Sequence, residues 1–487
     1  MIEQMQADLS GSRVLPVSRT TSRRPVVAEG AVVAVEPAVT APRLLLAMIV
    51  CLLIPGNFFI VGAQLSPNRV LLLGLLPFMA WRWFRGDVGR PNAVDVCVLL
   101  CALWAGLSLV VNHGLGALPR SVITITETFG AYLFGRLFVR NAADYRRFFV
   151  LLTIGFAVLL PFAVVEMLTG QDVLRRIFGL IFNIPEPERI PRARLGLTRA
   201  RTIFEHPILF GLVASMGVAN MLYIYRDSFR RSMQLTAFFV FVVFSSISSG
   251  PMLSVLVQLA LTAWDRLLWF MRFKWLVLGF LGIMAMLLLQ IASQFHILDF
   301  IIDNLMFNPE TAPGRIINFE YGMAEVYRHP VFGIGLGDWV RPWDRPATFD
   351  NYWINYWMRF GTPSFALLVL ALVISASRIV MQTTLTRREA SYRTGYLFTL
   401  TGLTITLATV HIWSATQVFV FIYFGMGSWF YMRDPAEGRL TEAVRTRRAA
   451  QAQAFAAAPK PAATLQPSQR AARTGMRRGR RIEAGEA

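Results

Sequence analysis

The sequence predicts an all-α, polytopic integral membrane protein with about twelve transmembrane helices and two larger loops outside the membrane. Of the 487 residues, 55% are hydrophobic and only 16% are charged, and the mean hydropathy is +0.49. Soluble domains carry about 25% charged residues. Apolar segments about 20 residues long, the length that crosses a bilayer, recur along the chain. Arginine-rich connections alternate with connections that mostly carry few charges, as expected for a membrane protein with a fixed orientation.

Twelve apolar segments are the predicted transmembrane helices, and together they form a membrane domain over residues 44–432. A tail at 1–43 and a basic tail at 433–487 flank this domain, and both are expected to be disordered and cytoplasmic. The segments lie at 44–62, 68–84, 93–111, 121–139, 147–168, 207–225, 234–248, 251–265, 274–293, 352–377, 395–412 and 415–432.

The net charge of +19 is almost entirely arginine, and it sets the predicted orientation. Every second connection is rich in arginine, for example the one that holds Arg136 and Arg140, and so are both tails. Such connections stay in the cytoplasm. An even number of spans agrees with two cytoplasmic tails, and it leaves the loops 169–206 and 294–351 outside. No soluble basic domain is present that would indicate nucleic-acid binding, and the three cysteines lie in apolar runs that predict small core residues.

The first outer loop carries seven arginines, which runs against the bias that places positive charge inside. A translocated loop can carry such charge without a special role. Alternatively, the arginines form an electropositive site for an anion, since the planar guanidinium binds phosphate oxygens in pairs. Leu174, Ile177, Phe178 and Ile181 share one helical face, which predicts a short helix in the membrane interface that ends before Pro185.

The second outer loop contains a predicted helix at 316–328 that Pro330 ends. Gly333, Gly335 and Gly337 follow at alternate positions, where they permit tight turns or close approach of a ligand. The spacing is not that of a dinucleotide-binding loop.

Charged residues are few within the predicted spans, and Glu127 and Glu166 are the clearest of them. Ionisable groups inside a membrane often have a function. Glu127 is expected to pair with an arginine of a neighbouring helix. Glu166 lies near the outer end of its span and is either functional or a hydrated interfacial residue. His411 is expected to be a structural residue at the outer boundary.

These motifs, in this order, resemble the O-antigen ligase/polymerase superfamily of bacterial envelope polysaccharide synthesis. The resemblance covers about 44–432. It rests on Arg201-Thr-Ile-Phe-Glu-His-Pro207 before the sixth span and on Gly314-Arg315, then Arg328-His329-Pro330 and the alternate glycines. Asp350-Asn351-Tyr-Trp and Arg359-Phe-Gly follow at the next span.

The resemblance implies a GT-C-like glycosyltransferase of the bacterial inner membrane with periplasmic outer loops. Its donor would be an undecaprenyl-diphosphate-linked oligosaccharide, and neither a cofactor nor a metal would be required. The partners implied are this lipid-linked donor, membrane lipid and other polysaccharide assembly proteins, with no nucleic acid. Typical ligases place a histidine where Asp350 stands, and this departure favours a polymerase.

Candidate residues follow from the chemistry of a diphosphate leaving group. Its developing charge requires fixed cations, and the attacking hydroxyl gains from a base. The catalytic candidates are Asp350 and His329, although Asp350 could instead cap the next span and His329 could cap a helix end. The candidates for binding diphosphate or glycan are Arg199, Arg201, His206, Arg315, Arg328 and Asn351.

Three alternatives to a polymerase remain open at the level of sequence. One is an O-antigen ligase that uses lipid A core as its acceptor. Another is a flippase for lipid-linked oligosaccharides, for which broken helices or inverted repeats would be expected. The third is a non-catalytic assembly subunit, which would tolerate loss of the outer-loop arginines and acids.

Overall fold

The computed structural model describes residues 40–60, 63–87, 89–182, 184, 193–194, 196–292, 312–343 and 348–432. Within these ranges the chain is helical, apart from one isolated bridge and one short antiparallel hairpin, Phe58–Ile60 (β1) with Ala63–Leu65 (β2). The tails predicted to be disordered lie outside the described residues, except that the first helix already begins at Thr40.

The first half of the described chain forms seven helices, and α4 continues into α5 through a π-helical turn at Thr126–Gly130. The helices are α1 Thr40–Leu52, α2 Pro67–Arg85, α3 Ala93–His113, α4 Leu118–Ile125, α5 Ala131–Phe138, α6 Ala142–Thr169 and α7 Val173–Gly179.

The second half forms nine more helices among the described residues and ends in a 3₁₀ turn at Gly427–Phe430. The helices are α8 Pro207–Ser215, α9 Gly217–Ile224, α10 Phe229–Ser245, α11 Ser249–Leu267, α12 Lys274–Ala292, α13 Ala312–Arg328, α14 Tyr352–Met381, α15 Arg387–Leu407 and α16 Ser414–Met426.

Four helical segments in the described chain are long and apolar enough to cross a membrane, which identifies a helical, membrane-embedded protein. They are Ala93–His113, Ala142–Thr169, Pro207–Ile224 and Tyr352–Met381. The prediction of one continuous span over 44–62 is wrong, because α1 ends at Leu52 and the chain turns into the hairpin. Pro55 explains this, since proline disfavours helical backbone at the residue before it.

Helix packing places α3 along α14, α5 along α16, and α15 between α9 and α11. The crossing of α5 and α16 is close because Gly135 and Gly425 face the partner backbone. A Cβ at Gly135 would overlap the carbonyl oxygen of Ile422, and a Cβ at Gly425 would overlap that of Tyr132. Two glycines are therefore required for these helices to touch.

Among the described residues, two arginine–carboxylate pairs that join different helices are almost fully buried. Arg69 donates to Glu127 at 2.7 Å, which confirms the predicted pairing of Glu127 with an arginine of a neighbouring helix. Arg136 lies 2.8 Å from Asp95. Arg136, which the sequence assigned to an arginine-rich connection, instead lies inside α5, where it is buried and its charge is balanced by Asp95.

A short helix is present at the predicted position as α7, and one of its two arginines is buried. Arg175 is buried, whereas Ile177 and Ile181 are exposed on a surface that a membrane interface would cover. The arginine is drawn inward because Asp172 lies one turn before it, with 3.5 Å between Nε and the carboxylate.

The second outer loop has its own small core, which holds the start of α14 in place. Trp339 and Phe349 pack edge to face with 5.1 Å between ring centroids, and Val326, Ile354 and Met358 complete the cluster. This core fixes the backbone immediately before Asp350.

Candidate functional site

The turn that carries the candidate arginines is held by Glu166 at the end of α6. Its carboxylate accepts hydrogen bonds from the backbone N–H groups of Arg201 (3.2 Å) and Thr202 (2.8 Å). Thr202 has a φ of +53°, a conformation that a β-branched residue rarely adopts. Glu166 therefore has a structural reason to be buried, and the alternative of a hydrated interfacial residue is wrong.

Arg201 is buried and paired with an acidic residue from the first outer loop. Its Nε and Nη2 both donate to Asp172 Oδ2, at 3.0 and 2.6 Å. The Nη1 of Arg201 and the Oδ1 of Asp172 are buried and have no hydrogen-bond partner. The pair thus retains one free donor and one free acceptor, and an anion that reached Arg201 would compete with Asp172.

Arg199 is also buried, but its hydrogen bonds go to neutral groups. Nη2 donates to Ser248 Oγ at 2.8 Å, and Nε lies 3.5 Å from the carbonyl oxygen of Ser246. The pKa of Arg199 is lowered to about 10, mainly by burial and also by the charge of Arg194, while the charge of Asp350 acts in the opposite direction. Asp350, from the second outer loop, therefore lies within electrostatic reach of Arg199 from the first.

His206 completes this cluster at the start of α8. Its Nδ1 accepts a hydrogen bond from the backbone N–H of Ile208 at 3.2 Å and so caps the helix. Burial lowers the pKa of His206 to about 4, and the charges of Arg199, Arg201 and Arg194 act in the same direction. The ring is therefore neutral near pH 7, with its proton on Nε2.

Asp350 is exposed, and the cap of α14 is the next residue. Asn351 accepts a hydrogen bond from the backbone N–H of Ile354 at 3.1 Å. The alternative in which Asp350 caps this helix is therefore wrong. The side-chain oxygen of Asn351, which is a candidate for substrate binding, therefore caps α14. Asp350 is thus exposed, and its charge acts on the buried guanidinium of Arg199.

The other candidates of the second outer loop lie at the end of α13. Arg328 and His329 are about half exposed and share Glu325, at 2.8 and 3.8 Å. Glu325 is buried and also accepts from the backbone N–H of Val340. His329 therefore has the helix-end environment expected of a capping residue. Arg315 lies within α13, and its side chain is outside the described residues.

The alternate glycines dock the second loop against a break in α14. Gly361 interrupts this helix with a φ of +80°, and the N–H of Thr362 donates to Pro330 O at 2.7 Å. Gly333 and Gly335 also have positive φ, and Arg359 Nη1 donates to the carbonyl oxygen of Gly335 at 2.9 Å. Two roles were considered for these glycines, a tight turn and the close approach of a ligand. The structure shows the tight turn, which here brings the backbone of the loop against α14.

The structure thus gathers Arg199, Arg201, His206 and Asp350 around one surface, whereas Arg328 and His329 have Glu325 as their common partner. Sequence reasoning missed Asp172, whose signal was its position three residues before Arg175. It also missed Glu325, which carries no distinctive motif. Among the described residues, no three His, Cys, Asp or Glu side chains converge to hold a metal ion.

Comparison with known proteins adds no relative from which a function could be transferred. No protein-family model matches the chain, and no curated protein shows significant similarity to it. The features that bear on function are therefore the membrane fold and the arginine-rich cluster.

Proposed function

We propose that this protein is an envelope polysaccharide polymerase of the bacterial inner membrane. It would transfer glycan from a polyprenyl-diphosphate-linked donor to a lipid-linked repeat on the periplasmic side. The proposed arrangement has twelve spans, both termini in the cytoplasm, and the loops 169–206 and 294–351 in the periplasm. One observation carries the proposal: buried Arg199 and exposed Asp350, from different outer loops, lie within electrostatic reach of each other.

The proposed chemistry assigns one task to each side of this surface. Arg199 stabilises the negative charge that builds on the diphosphate as its bond to the anomeric carbon breaks, because fixed cations favour that charge. Asp350 accepts the proton of the attacking acceptor hydroxyl while the new glycosidic bond forms. The exposure of Asp350 supports this role, since an acceptor can reach it from solvent.

His206 and Arg201 support the site in different ways in this proposal. The lowered pKa of His206 keeps its ring neutral, so it adds no charge to the arginine cluster. Arg201 adds a second phosphate contact once Asp172 is displaced. The first contact of the donor is therefore assigned to Arg199, whose hydrogen-bond partners are neutral.

Substitution of the proposed base provides the first test. Asp350→Asn is expected to insert normally and to lower polymer formation by about 10²–10⁴, the usual contribution of a general base. Asp338→Asn is the matched control, because Asp338 is an exposed aspartate of the same loop that pairs with Arg341. The assay is polymer length and yield with purified protein and lipid-linked repeats. Wild-type activity in Asp350→Asn would remove the base from the mechanism.

Substitution of the proposed cation provides the second test. Arg199→Ala is expected to lose about 1.5–3 kcal/mol of diphosphate binding, the range for a charge-assisted hydrogen bond. Arg199→Lys should recover only part of the activity, because a point charge does not reproduce the guanidinium fork. Arg176→Ala is the control, since Arg176 is an exposed arginine of the same loop. Equal activity in Arg199→Ala and the control would contradict the proposal.

A flippase remains the second candidate, and the break in α14 is the observation that favours it. Discontinuous helices are typical of transporters, and the half-buried Arg359 lies two residues before the break at Gly361. Deletion of the protein separates the candidates. Loss of a polymerase leaves single repeats on periplasmic lipid, and loss of a ligase leaves polymer on the carrier. Loss of a flippase leaves repeats facing the cytoplasm.

A further inference from the structure

Three arginines from three helices meet two tyrosines at one end of the helix bundle. Arg146 of α6 and Arg231 of α10 both lie over the ring of Tyr225, with 5.3 and 4.5 Å between the guanidinium carbon and the ring centroid. Arg388 of α15 lies over the ring of Tyr392 at 5.5 Å, and its Nε donates to the tyrosine hydroxyl at 3.0 Å. These three arginines are called the arginine triad below.

The helices that carry the arginine triad are joined to one another at this end. Ser391 of α15 donates to the carbonyl oxygen of Tyr223 in α9 at 2.8 Å, and Ser232 of α10 donates to that of Leu222 at 3.2 Å. Tyr145 of α6 stacks on the second tyrosine of the cluster, with 5.7 Å between ring centroids. The backbone positions of the triad are therefore fixed by the packing of four helices.

The arginine triad lies far from the candidate site. Arg146 belongs to the first turns of the membrane-spanning helix Ala142–Thr169, whereas Glu166 near the other end of that helix holds the turn of Arg201. Residues 146 and 166 are separated by about 30 Å, at 1.5 Å per helical residue. This is about the thickness of the hydrocarbon core of a bilayer. The triad therefore belongs to the opposite membrane surface.

The aromatic contacts of the triad leave hydrogen-bond donors available. Stacking uses the flat face of a guanidinium, whereas its five N–H donors point outward in its plane. Within the described part of the chain, none of the salt bridges involves a member of the triad. Arg231 and Arg388 are exposed and Arg146 is half-buried. A ligand at the membrane surface can therefore reach these donors.

The neighbouring charged residues have other partners. Arg147 pairs with Asp144 at 3.5 Å, and Arg393 donates to the carbonyl oxygen of Gln382 at 2.6 Å. Glu389, which follows a member of the triad in the sequence, forms the capping box of α15. These acidic groups therefore leave the charge of the triad without a salt-bridge partner among the described residues.

The segments around the triad carry a large excess of positive charge. Nine arginines and three acidic residues lie at 140–147, 226–231 and 387–393. Arg146 and Arg231 share one ring, so their like charges are close together and repel each other. A bound anion would offset this repulsion.

The position of the triad selects a lipid as the source of that anion. Each arginine lies within the first two turns of its helix, and α6 crosses the membrane from this end. Phe229, which begins α10 beside Arg230 and Arg231, is 73% exposed. An exposed aromatic ring next to arginines is typical of the bilayer interface, where the ring contacts acyl chains and the cations contact headgroups.

We propose that the arginine triad binds the phosphate of an anionic phospholipid headgroup. The free guanidinium donors would form charge-assisted hydrogen bonds with its phosphate oxygens. Basic pockets between transmembrane helices bind anionic headgroups in this way. A zwitterionic lipid is disfavoured, because the triad repels its ammonium group. The bound lipid would hold α6, α10 and α15 together at this surface. The proposal does not rest on the proposed function.

Native mass spectrometry of the full-length protein tests this binding without any requirement for activity. The protein is prepared in an uncharged detergent and titrated with phosphatidylglycerol or, separately, with phosphatidylcholine. Phosphatidylglycerol is expected to bind the wild type about tenfold more tightly or better. The triple variant Arg146→Gln/Arg231→Gln/Arg388→Gln is expected to lose about fivefold in affinity for each substituted arginine. Replacement of all three by lysine should restore part of the affinity, because the charge returns without the guanidinium fork.

A second triple variant removes the same charge from arginines that have other partners. Arg82→Gln/Arg147→Gln/Arg393→Gln is this control, since Arg82 pairs with Asp87 at 3.7 Å and the other two have the partners given above. Its affinity for phosphatidylglycerol should stay close to that of the wild type. The single variant Arg231→Gln, at an exposed residue, makes the same comparison with the least change to packing, and it should lose about fivefold.

Each outcome supports or rejects the lipid site. Equal binding of the two lipids, an equal loss in the control variant, or unchanged affinity in both the triad variant and Arg231→Gln would overturn it. Inorganic phosphate and glycerol phosphate are further probes. If they raise the melting temperature as much as phosphatidylglycerol at equal phosphate concentration, the triad binds a soluble anion and the lipid is rejected. Lipid preference in a wild-type protein that makes no polymer would support the triad site and reject the polymerase.

Discussion

Asp172→Asn tests whether the buried pair restrains Arg201. The substitution keeps the size of the side chain and one oxygen acceptor but removes the negative charge that faces Arg201 Nε and Nη2. The side chains of Arg201 and Asp172 are only 10% and 19% exposed. Loss of one partner from a fully buried pair costs about 3–5 kcal/mol, whereas exposed pairs contribute about 0–1 kcal/mol.

The partial exposure of Asp172 and the retained acceptor place the expected loss between these limits, at about 2 kcal/mol of unfolding free energy. Glu166 compensates little, because its carboxylate lies 3.9 Å from Arg201 Nε and is used by two backbone N–H groups. Asp172→Asn should therefore unfold at a clearly lower temperature than wild type in detergent. Asp338→Asn, at an exposed pair, should change the melting temperature little.

The same substitution should increase the affinity for inorganic diphosphate. In the wild type, an anion must displace Asp172 from Arg201, and in the variant this competition is removed. The measurement is the rise in melting temperature with diphosphate concentration, since a ligand that binds the folded state stabilises it. If the variant is as stable as wild type and diphosphate stabilises it no more strongly, then Asp172 does not restrain Arg201.

Three further predictions concern pH, packing and orientation. His206→Asn keeps a helix cap but removes a group whose folded pKa, about 4, lies below its unfolded value of about 6.5. The unfolded chain therefore binds the proton first as the pH falls, so wild type should lose more melting temperature between pH 7 and pH 4.5 than the variant, and equal losses would contradict the shift. Gly361→Ala should sharply reduce the yield of folded protein, because φ is positive and a Cβ would overlap a backbone carbonyl oxygen, whereas Gly74→Ala meets nothing and should be tolerated. With both tails in the cytoplasm, Val340→Cys should react with an impermeant thiol reagent in intact spheroplasts and Asp227→Cys only after lysis, and the reverse pattern would invert the orientation.

The positions of the helices were largely readable from the sequence, because their signals are local. A described helix lies at or near each predicted segment, with the largest departure at 44–62. Apolar length, proline positions and capping residues depend on neighbours within a few residues. For example, Thr386 and Glu389 form a capping box, and α15 begins at the residue that follows Thr386.

The partners of the charged residues were decided only by the tertiary structure. Arg175 and Arg176 are adjacent in the sequence, yet one is buried against Asp172 and the other is exposed. No local pattern distinguishes them, because the inward side of a short helix is set by what packs against it. The same reason explains why Arg136, expected in an arginine-rich connection, is buried against Asp95.

The sequence by itself determined a helical membrane protein with one long arginine-rich loop and a second long loop that carries alternate glycines, since composition and periodicity follow directly from the order of residues. Only the folded chain brought Asp350 within electrostatic reach of Arg199, and only the folded chain paired Arg201 with Asp172. These contacts join residues far apart in the chain. They arise because packing of whole helices fixes distances that no short segment encodes.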